Sequence, residues 1–281
     1  MTMQSLFSIY AVTIIAATAL GAALAALGTQ LAARDRAMQT MCISQGAMLG
    51  VLLGLGIFSY SSDIPAVSIG GPFVLGFILA ATTSSVSERL AANAGSSNNT
   101  HFAALFAVLL ACGYLISALF PLLESHMSQK YFGDLATLSR GESLAAMVIG
   151  FMLLAISLLF RGELTRDSFA ISILGTPQPA TRWGNLFAFG SLLVICFCIQ
   201  TVGFLFTISC LFIPTSIMSF GAKAGLRRHI LFCTMIGAIS TAMGFVLSLI
   251  FSHLPTVPTI IATMTLTAAI FSNLGKHNAK S

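Results

Sequence analysis

The chain has 281 residues, 57% of them hydrophobic and only 7% charged, with a formal net charge of +5, a pI near 9.1 and a mean hydropathy of +0.95. A soluble domain carries about 25% charged residues, so a water-soluble protein is excluded. A nucleic-acid footprint is excluded too, because the basic residues gather at the ends of apolar runs and mark one side of a membrane.

These values predict an all-α, polytopic bundle of about eight to nine transmembrane helices in lipid, forming a single membrane domain over 1–281. A crossing needs about 20 apolar residues. The first run is Leu6 to Ala33, rich in Ala and Gly, and it stops at Arg34-Asp35-Arg36. It is too long and lacks the basic start of a cleavable signal, so the first helix is expected to be retained. The second run, Met38 to Tyr60, breaks at Asp63 and Pro65. The third is Val67 to about Ser84, followed by a polar stretch from Glu88 to His101 that reads as a loop. The fourth is Phe102 to Leu123 and the fifth Ser143 to Phe160, separated by the mixed-charge segment Glu124 to Glu142.

Arg161 to Trp183 carries Pro177 and Pro179, which make part of it irregular. The stretch Leu186 to Met218 would be about 50 Å long as one helix, too long for a core of about 30 Å. It is split at Gln200-Thr201-Val202-Gly203. The last runs are Ile230 to Ser252 and Pro258 to Leu274, with a turn at His253-Leu254-Pro255.

Nine crossings with the C-terminus inside put the N-terminus outside. The inner loops then hold Arg34, Arg36, Arg89, Arg161, Arg166, Arg182, Lys223, Arg227, Arg228, Lys276 and Lys280, and the outer ones only Lys130 and Arg140. That asymmetry of eleven against two obeys the positive-inside rule. It also supports the split before Phe204. The six cysteines lie in or beside apolar runs without a Cys-x-x-Cys, as small buried thiols do.

No Asp, Glu, Lys or Arg lies in the middle of an apolar run, where ion-coupled carriers usually keep one. There is no P-loop pattern, no His-Glu-x-x-His and no Ser/His/Asp constellation. The chain is therefore expected to be no enzyme, to hold no cofactor and to borrow its energy. The stretch Val202 to His229 is the place to borrow it: an apolar run reaches Ile213-Pro214, turns small and polar, and ends on Lys223, Arg227, Arg228 and His229. Pro214 is expected to bend or restart the helix. Two readings fit that end: an ordinary stop-transfer end with a solvated basic face, or a grip for an energy-supplying partner.

Four motifs in order resemble the permease subunits of ATP-binding-cassette importers for zinc, manganese and iron, the ABC-3 type. They are Arg34-Asp35-Arg36-Ala37-Met38 leading into Gly46-Ala47-Met48-Leu49-Gly50; Phe132-Gly133-Asp134-Leu135; Asp167-Ser168-Phe169-Ala170 with Gly175; and Val202-Gly203 to Ile213-Pro214. The resemblance implies a multi-pass permease of the inner (plasma) membrane. Its implied partners are a second permease chain, a cytosolic ATPase dimer and a periplasmic metal-binding protein. It also implies a coupling helix after the Ile-Pro motif, here Thr215, Ser216, Ser219, Lys223, Arg227 and Arg228, with Asp167 on the same side.

One departure stands out. The family often carries Asp and His four residues apart on its second helix, and here Met41 and Gln45 occupy those places. Neither suits zinc. Met38, Met41 and Cys42 are soft donors that suit another metal, or plain pore- or lipid-facing residues. Three explanations fit the missing pair: a partner chain carries the site, the path is non-coordinating, or the cargo is a chelated metal. On the outer side, Glu124, His126 and Asp134 are candidates for a mouth that meets a loaded binding protein, with a plain solvated loop as the alternative. The competing function is a stand-alone ion-coupled secondary transporter.

Overall fold

A computed structural model of the chain describes residues 3–58, 65–93, 98–120, 130–133, 135–160, 162–166, 168, 182–219, 226–251 and 253–278. No strand occurs among them. The long helices are α1 (Met3–Ala33), α2 (Ala37–Phe58), α3 (Pro65–Asn93), α4 (Asn98–Leu119), α5 (Arg140–Leu159), α6 (Arg182–Thr201), α7 (Phe204–Ser219), α8 (Leu226–Ile250) and α9 (Thr256–Asn278), with a 3-10 turn at Leu135–Thr137. Seven helices are long and apolar enough to cross a membrane, and two shorter apolar ones cover Phe204–Met218 and Thr256–Ser272. The chain is a multi-pass helical membrane protein, as its composition requires.

Three boundaries differ from the sequence expectations. First, α3 runs on through Glu88 and Arg89 to Asn93. Its last turns are built from Glu, Arg, Leu and Ala, all strong helix formers, so charge there marks a solvated helix end and not a loop. Second, α4 already begins at Asn98 and takes in His101. Third, α7 continues through Pro214. Two hydroxyls line the turn after the proline: Thr215 Oγ1 lies 3.3 Å from the Leu211 carbonyl and Ser216 Oγ donates to that of Phe212 at 2.8 Å. Membrane helices tolerate interior proline where their surroundings satisfy the backbone. The break between α6 and α7 falls at Val202-Gly203, as the length of the apolar run demanded.

The chain forms two compact units. The first comprises residues 1–35, 134–184 and 206–281 and is built on α1. Small residues let backbones touch there. A Cβ added at Gly28 would lie 1.8 Å from the Leu211 carbonyl oxygen of α7, and one at Gly237 of α8 would lie 2.7 Å from the Gly21 oxygen of α1. Between α1 and α5, Thr13 and Ser143 share a hydrogen bond at 3.1 Å. A bond of this kind between membrane helices contributes about 0.6 kcal/mol on average, so close packing does most of the work. A capping box of Ser139 and Glu142 starts α5.

The second unit comprises residues 36–133 and 185–205 and is built on α2. Gly46, Gly50 and Gly54 recur every fourth residue and so line one helix face. A Cβ at Gly50 would sit 2.4 Å from the Leu75 oxygen of α3, and one at Gly54 2.4 Å from the Cα of Pro72. Gln39 Nε2 donates to Ser87 Oγ at 3.0 Å, and the Cys42 thiol donates to the Phe102 carbonyl of α4 at 3.0 Å. Phe77 of α3 meets Phe189 of α6 edge to face at 5.5 Å. In both units the outer helices expose large apolar residues, such as Leu119 of α4 at 74% and Leu159 of α5 at 79%. Lipid, being as apolar as leucine, removes the cost of that exposure.

Candidate functional site

Within the α2 unit, two of the motifs meet. α6 closes with the Val202 and Gly203 N–H groups both donating to the Cys198 carbonyl, at 2.8 and 3.1 Å. Gly203 has φ +110° and Gly133, from Phe132-Gly133, has φ +76°. An L side chain rarely adopts the first of these values. Space forbids one as well, since a Cβ on Gly203 would lie 2.6 Å from the Gly133 Cα and 3.0 Å from the Lys130 oxygen. The Val-Gly and Phe-Gly motifs are therefore two halves of one backbone contact, which fixes where the 130–133 segment lies against the end of α6. Lys130 Nζ reinforces it by donating to the Gln200 carbonyl at 2.5 Å.

That contact positions Tyr131. Gln45, fully buried on α2, donates through Nε2 to the Tyr131 hydroxyl at 2.6 Å. The Tyr131 ring stacks on Tyr114 of α4, with centroids 6.5 Å apart and planes 19° from parallel, and meets Phe204 edge-on at 5.8 Å. Burial pushes the Tyr131 phenol above its ordinary pKa, against the lowering effect of the Gln45 hydrogen bond. The phenol is accordingly neutral at physiological pH. The buried polar side chains of this unit, among them Gln39, Ser44, Gln45, Thr83 and Ser87, are all uncharged among the described residues.

Within the α1 unit, two other motifs meet. Arg34, only 5% exposed, donates from Nε to Ser168 Oγ at 3.1 Å, and the single Ser168 hydroxyl proton is shared between Gln30 Oε1 at 3.1 Å and the Leu164 carbonyl at 2.8 Å. Thr29, on the same two turns of α1, pairs with Thr215 of α7 at 3.4 Å. The last turns of α1 thus hold both Ser168 and Thr215, which lie far apart in sequence. Asp35 follows with φ +55°, a left-handed turn that aspartate tolerates better than most residues, and it ends the helix.

Of the expected coupling residues, Thr215 is buried, Ser216 and Arg228 are exposed, and Ser219 is the last residue of α7. The side chains of Ser219 and Arg227, all of Lys223 and Asp167, and the mouth candidates Glu124, His126 and Asp134 lie outside the described residues. Met41 is half-buried. No group of three or more His, Cys, Asp or Glu side chains comes together among the described residues. Sequence reasoning missed Tyr131 and the buried trio of Arg34, Gln30 and Ser168. For Tyr131 the available signal was its place immediately before a glycine motif.

Residues 7–274 match the ABC 3 transport family. The chain belongs to that family. Its members are membrane permease subunits of ABC transporters of the metal type. No curated protein matches the sequence as a relative. Among solved structures, the chain is similar to PsaBC from Streptococcus pneumoniae in complex with Fab, with TM-score 0.72 and 18% identity over 92% of this chain and 89% of that one. It is also similar to an inward-facing conformation of a putative metal-chelate type ABC transporter, with TM-score 0.62 and 20% identity over 93% and 84% of the two chains. These likenesses show a shared fold.

Proposed function

We propose that this chain is the permease of an ATP-driven importer that passes zinc, manganese or iron, bare or chelated, from a periplasmic binding protein across the inner membrane. In this reading the chain is one membrane domain. It pairs with a second permease chain, and each pair engages a cytosolic ATPase dimer. The excess of basic residues in one set of loops supports an outer N-terminus and an inner C-terminus.

The observation that carries the reading is the convergence at the end of α1. Arg34, Gln30 and Thr29 tie down both Ser168 and Thr215 of α7, next to the exposed Ser216. A force applied at the end of α7 would therefore reach α1 through bonded, buried side chains. Asp167, Ser219, Lys223, Arg227 and Arg228 are assigned to that coupling face with Thr215 and Ser216. Glu124, His126 and Asp134 are assigned to the outer mouth. The absence of buried Asp or Glu side chains among the described residues speaks against an ion-coupled carrier.

The test is reconstitution in vesicles with and without an ATPase captured with this chain from its own membrane. Metal uptake is expected to require ATP on the inner face and to vanish when the ATPase is omitted. Uptake driven by a proton or sodium gradient without ATP would establish the secondary-transporter alternative.

A further inference from the structure

Gln45 Oε1 is a buried amide oxygen with no hydrogen-bond partner, on a residue with no exposed surface. Its own Nε2 is held by Tyr131 at 2.6 Å, so the amide is aimed and not merely stranded. A buried acceptor left empty destabilises the fold, and an apolar residue of similar shape would relieve that. Such a group calls for something that fills it. Tyr131 is only half-buried, so the pair reaches from the interior of the α2 unit to its surface. The rings of Tyr114 and Phe204 flank Tyr131 and supply a flat apolar wall. A few placed polar atoms beside aromatic faces are the ordinary make-up of a small-molecule site.

The charge around the pair narrows the occupant. A bare divalent ion must exchange its water for donors that offset its charge, and zinc takes thiolate, imidazole or carboxylate. The pair offers a neutral amide and a neutral phenol. Among the described residues, the other buried polar side chains of this unit are hydroxyls and Gln39; the Cys42 thiol, three residues before Gln45, is turned to the Phe102 carbonyl, and Met41 brings only a thioether. The residue beside Tyr131 is the cationic Lys130, bonded to the Gln200 carbonyl, which repels a second cation. A cargo whose charge is already balanced meets none of these penalties. If it also carries N–H or O–H groups, it satisfies Gln45 Oε1. Turning the amide over would leave Nε2 to be filled instead, and a ligand bearing both donors and acceptors serves either arrangement.

We infer that Gln45 and Tyr131, backed by Tyr114 and Phe204, contact a metal cation still enclosed in a small polar organic chelator of near-zero net charge, and not a bare ion. The inference rests on the proposed importer function and names its substrate class.

The test uses the complete transporter in vesicles, with zinc, manganese and iron(II) each supplied as a buffered free ion and as the histidinate complex, whose amino-acid anions balance the metal. ATP-driven uptake of one complex is expected to exceed that of its free ion by about tenfold or more. Gln45→Leu is expected to raise the KM for the complex about tenfold, equivalent to ~1.4 kcal/mol, with kcat little changed. Gln45→Met, closer in shape, is expected to do the same and covers the case in which the leucine variant does not assemble. Tyr131→Phe keeps the aromatic wall and is expected to lose a smaller part.

Free ions moving as fast as their complexes would overturn the inference. So would a Gln45→Leu protein that transports normally and melts higher, since that marks the amide as holding a structural water only. Equilibrium dialysis of the purified full chain against the radiolabelled histidinate complexes separates the two levels. Binding that is present in the wild type and lost in Gln45→Leu, without ATP-driven uptake, sinks the importer reading and keeps the site. Wild-type protein that binds no complex sinks the site.

Discussion

In the unit built on α1, the buried polar side chains at the helix end hold one another: Arg34, Ser168 and Gln30 form a bonded chain, and Thr29 pairs with Thr215. In the unit built on α2, the buried polar side chains are all uncharged among the described residues, and the fully buried Gln45 reaches out to the half-buried Tyr131. Both central helices are rich in small residues and pack backbone to backbone, so the packing physics is common to them. What differs is the use of polarity. One unit spends it on joining distant segments, which suits the force transmission proposed for it. The other keeps it neutral and partly open, which suits the cargo contact proposed for it.

The sharpest way to break the comparison is to damage the scaffold of the α2 unit without touching a polar side chain. Gly203→Ala places a Cβ 2.6 Å from the Gly133 backbone at φ +110°. Strain of that kind and overpacking each cost of order 1–3 kcal/mol. A loss of roughly 3 kcal/mol or more is expected, read as a lowered melting temperature or failure to accumulate in the membrane. Gly190→Ala in the same unit meets nothing within 4 Å and is expected to be neutral or slightly stabilising. If the two variants behave alike, the Gly133–Gly203 contact does not hold the Tyr131 segment.

The next effect belongs to the α1 unit. Arg34→Ala removes a buried charged donor to Ser168. Hydrogen bonds to charged groups contribute about 1.5–3 kcal/mol, so a loss of about 2 kcal/mol is expected. Proteolysis should then open the 162–168 segment first. Arg34→Lys should recover little, because an ammonium lacks the planar fork and the Nε donor. Full recovery by lysine would mean that charge alone, not the bond to Ser168, secures the segment.

How much of this was legible depended on whether the signal was local. Hydropathy located the crossings, and the excessive length of Leu186–Met218 forced a break that the structure puts at Val202-Gly203. The end of α3 was misread because Glu88 and Arg89 look like a loop when counted by charge, although their helix propensity is high. Pro214 suggests a bend or a restart, and the structure rules out the restart, because α7 runs through it without a break. Gln45 stood out as a departure from the family pattern, but its partner Tyr131 is 86 positions away, and no spacing rule links them. Arg34 looked like an ordinary basic helix end. Its burial follows from Ser168 and Gln30 closing over it, a tertiary fact that no window of sequence contains.

The smallest effect on stability should be the largest on coupling. Arg228 is exposed at the start of α8, and surface substitutions away from buried features stay within about 0.5 kcal/mol. Arg228→Glu should therefore fold and melt like the wild type. A reversed charge on a surface that meets a partner changes association and its salt dependence more than it changes the fold. ATPase co-purification and ATP-dependent uptake are expected to fall about tenfold, and more steeply as salt is raised. Arg228→Gln, which removes the charge without reversing it, should fall between. Set beside Arg34→Ala, this variant separates two ways of losing transport, one by releasing the segments that α1 holds and one by failing to receive the partner. An Arg228→Glu protein that transports normally with its ATPase bound would remove Arg228 from the coupling face and leave the buried cluster as the only tie between that face and α1.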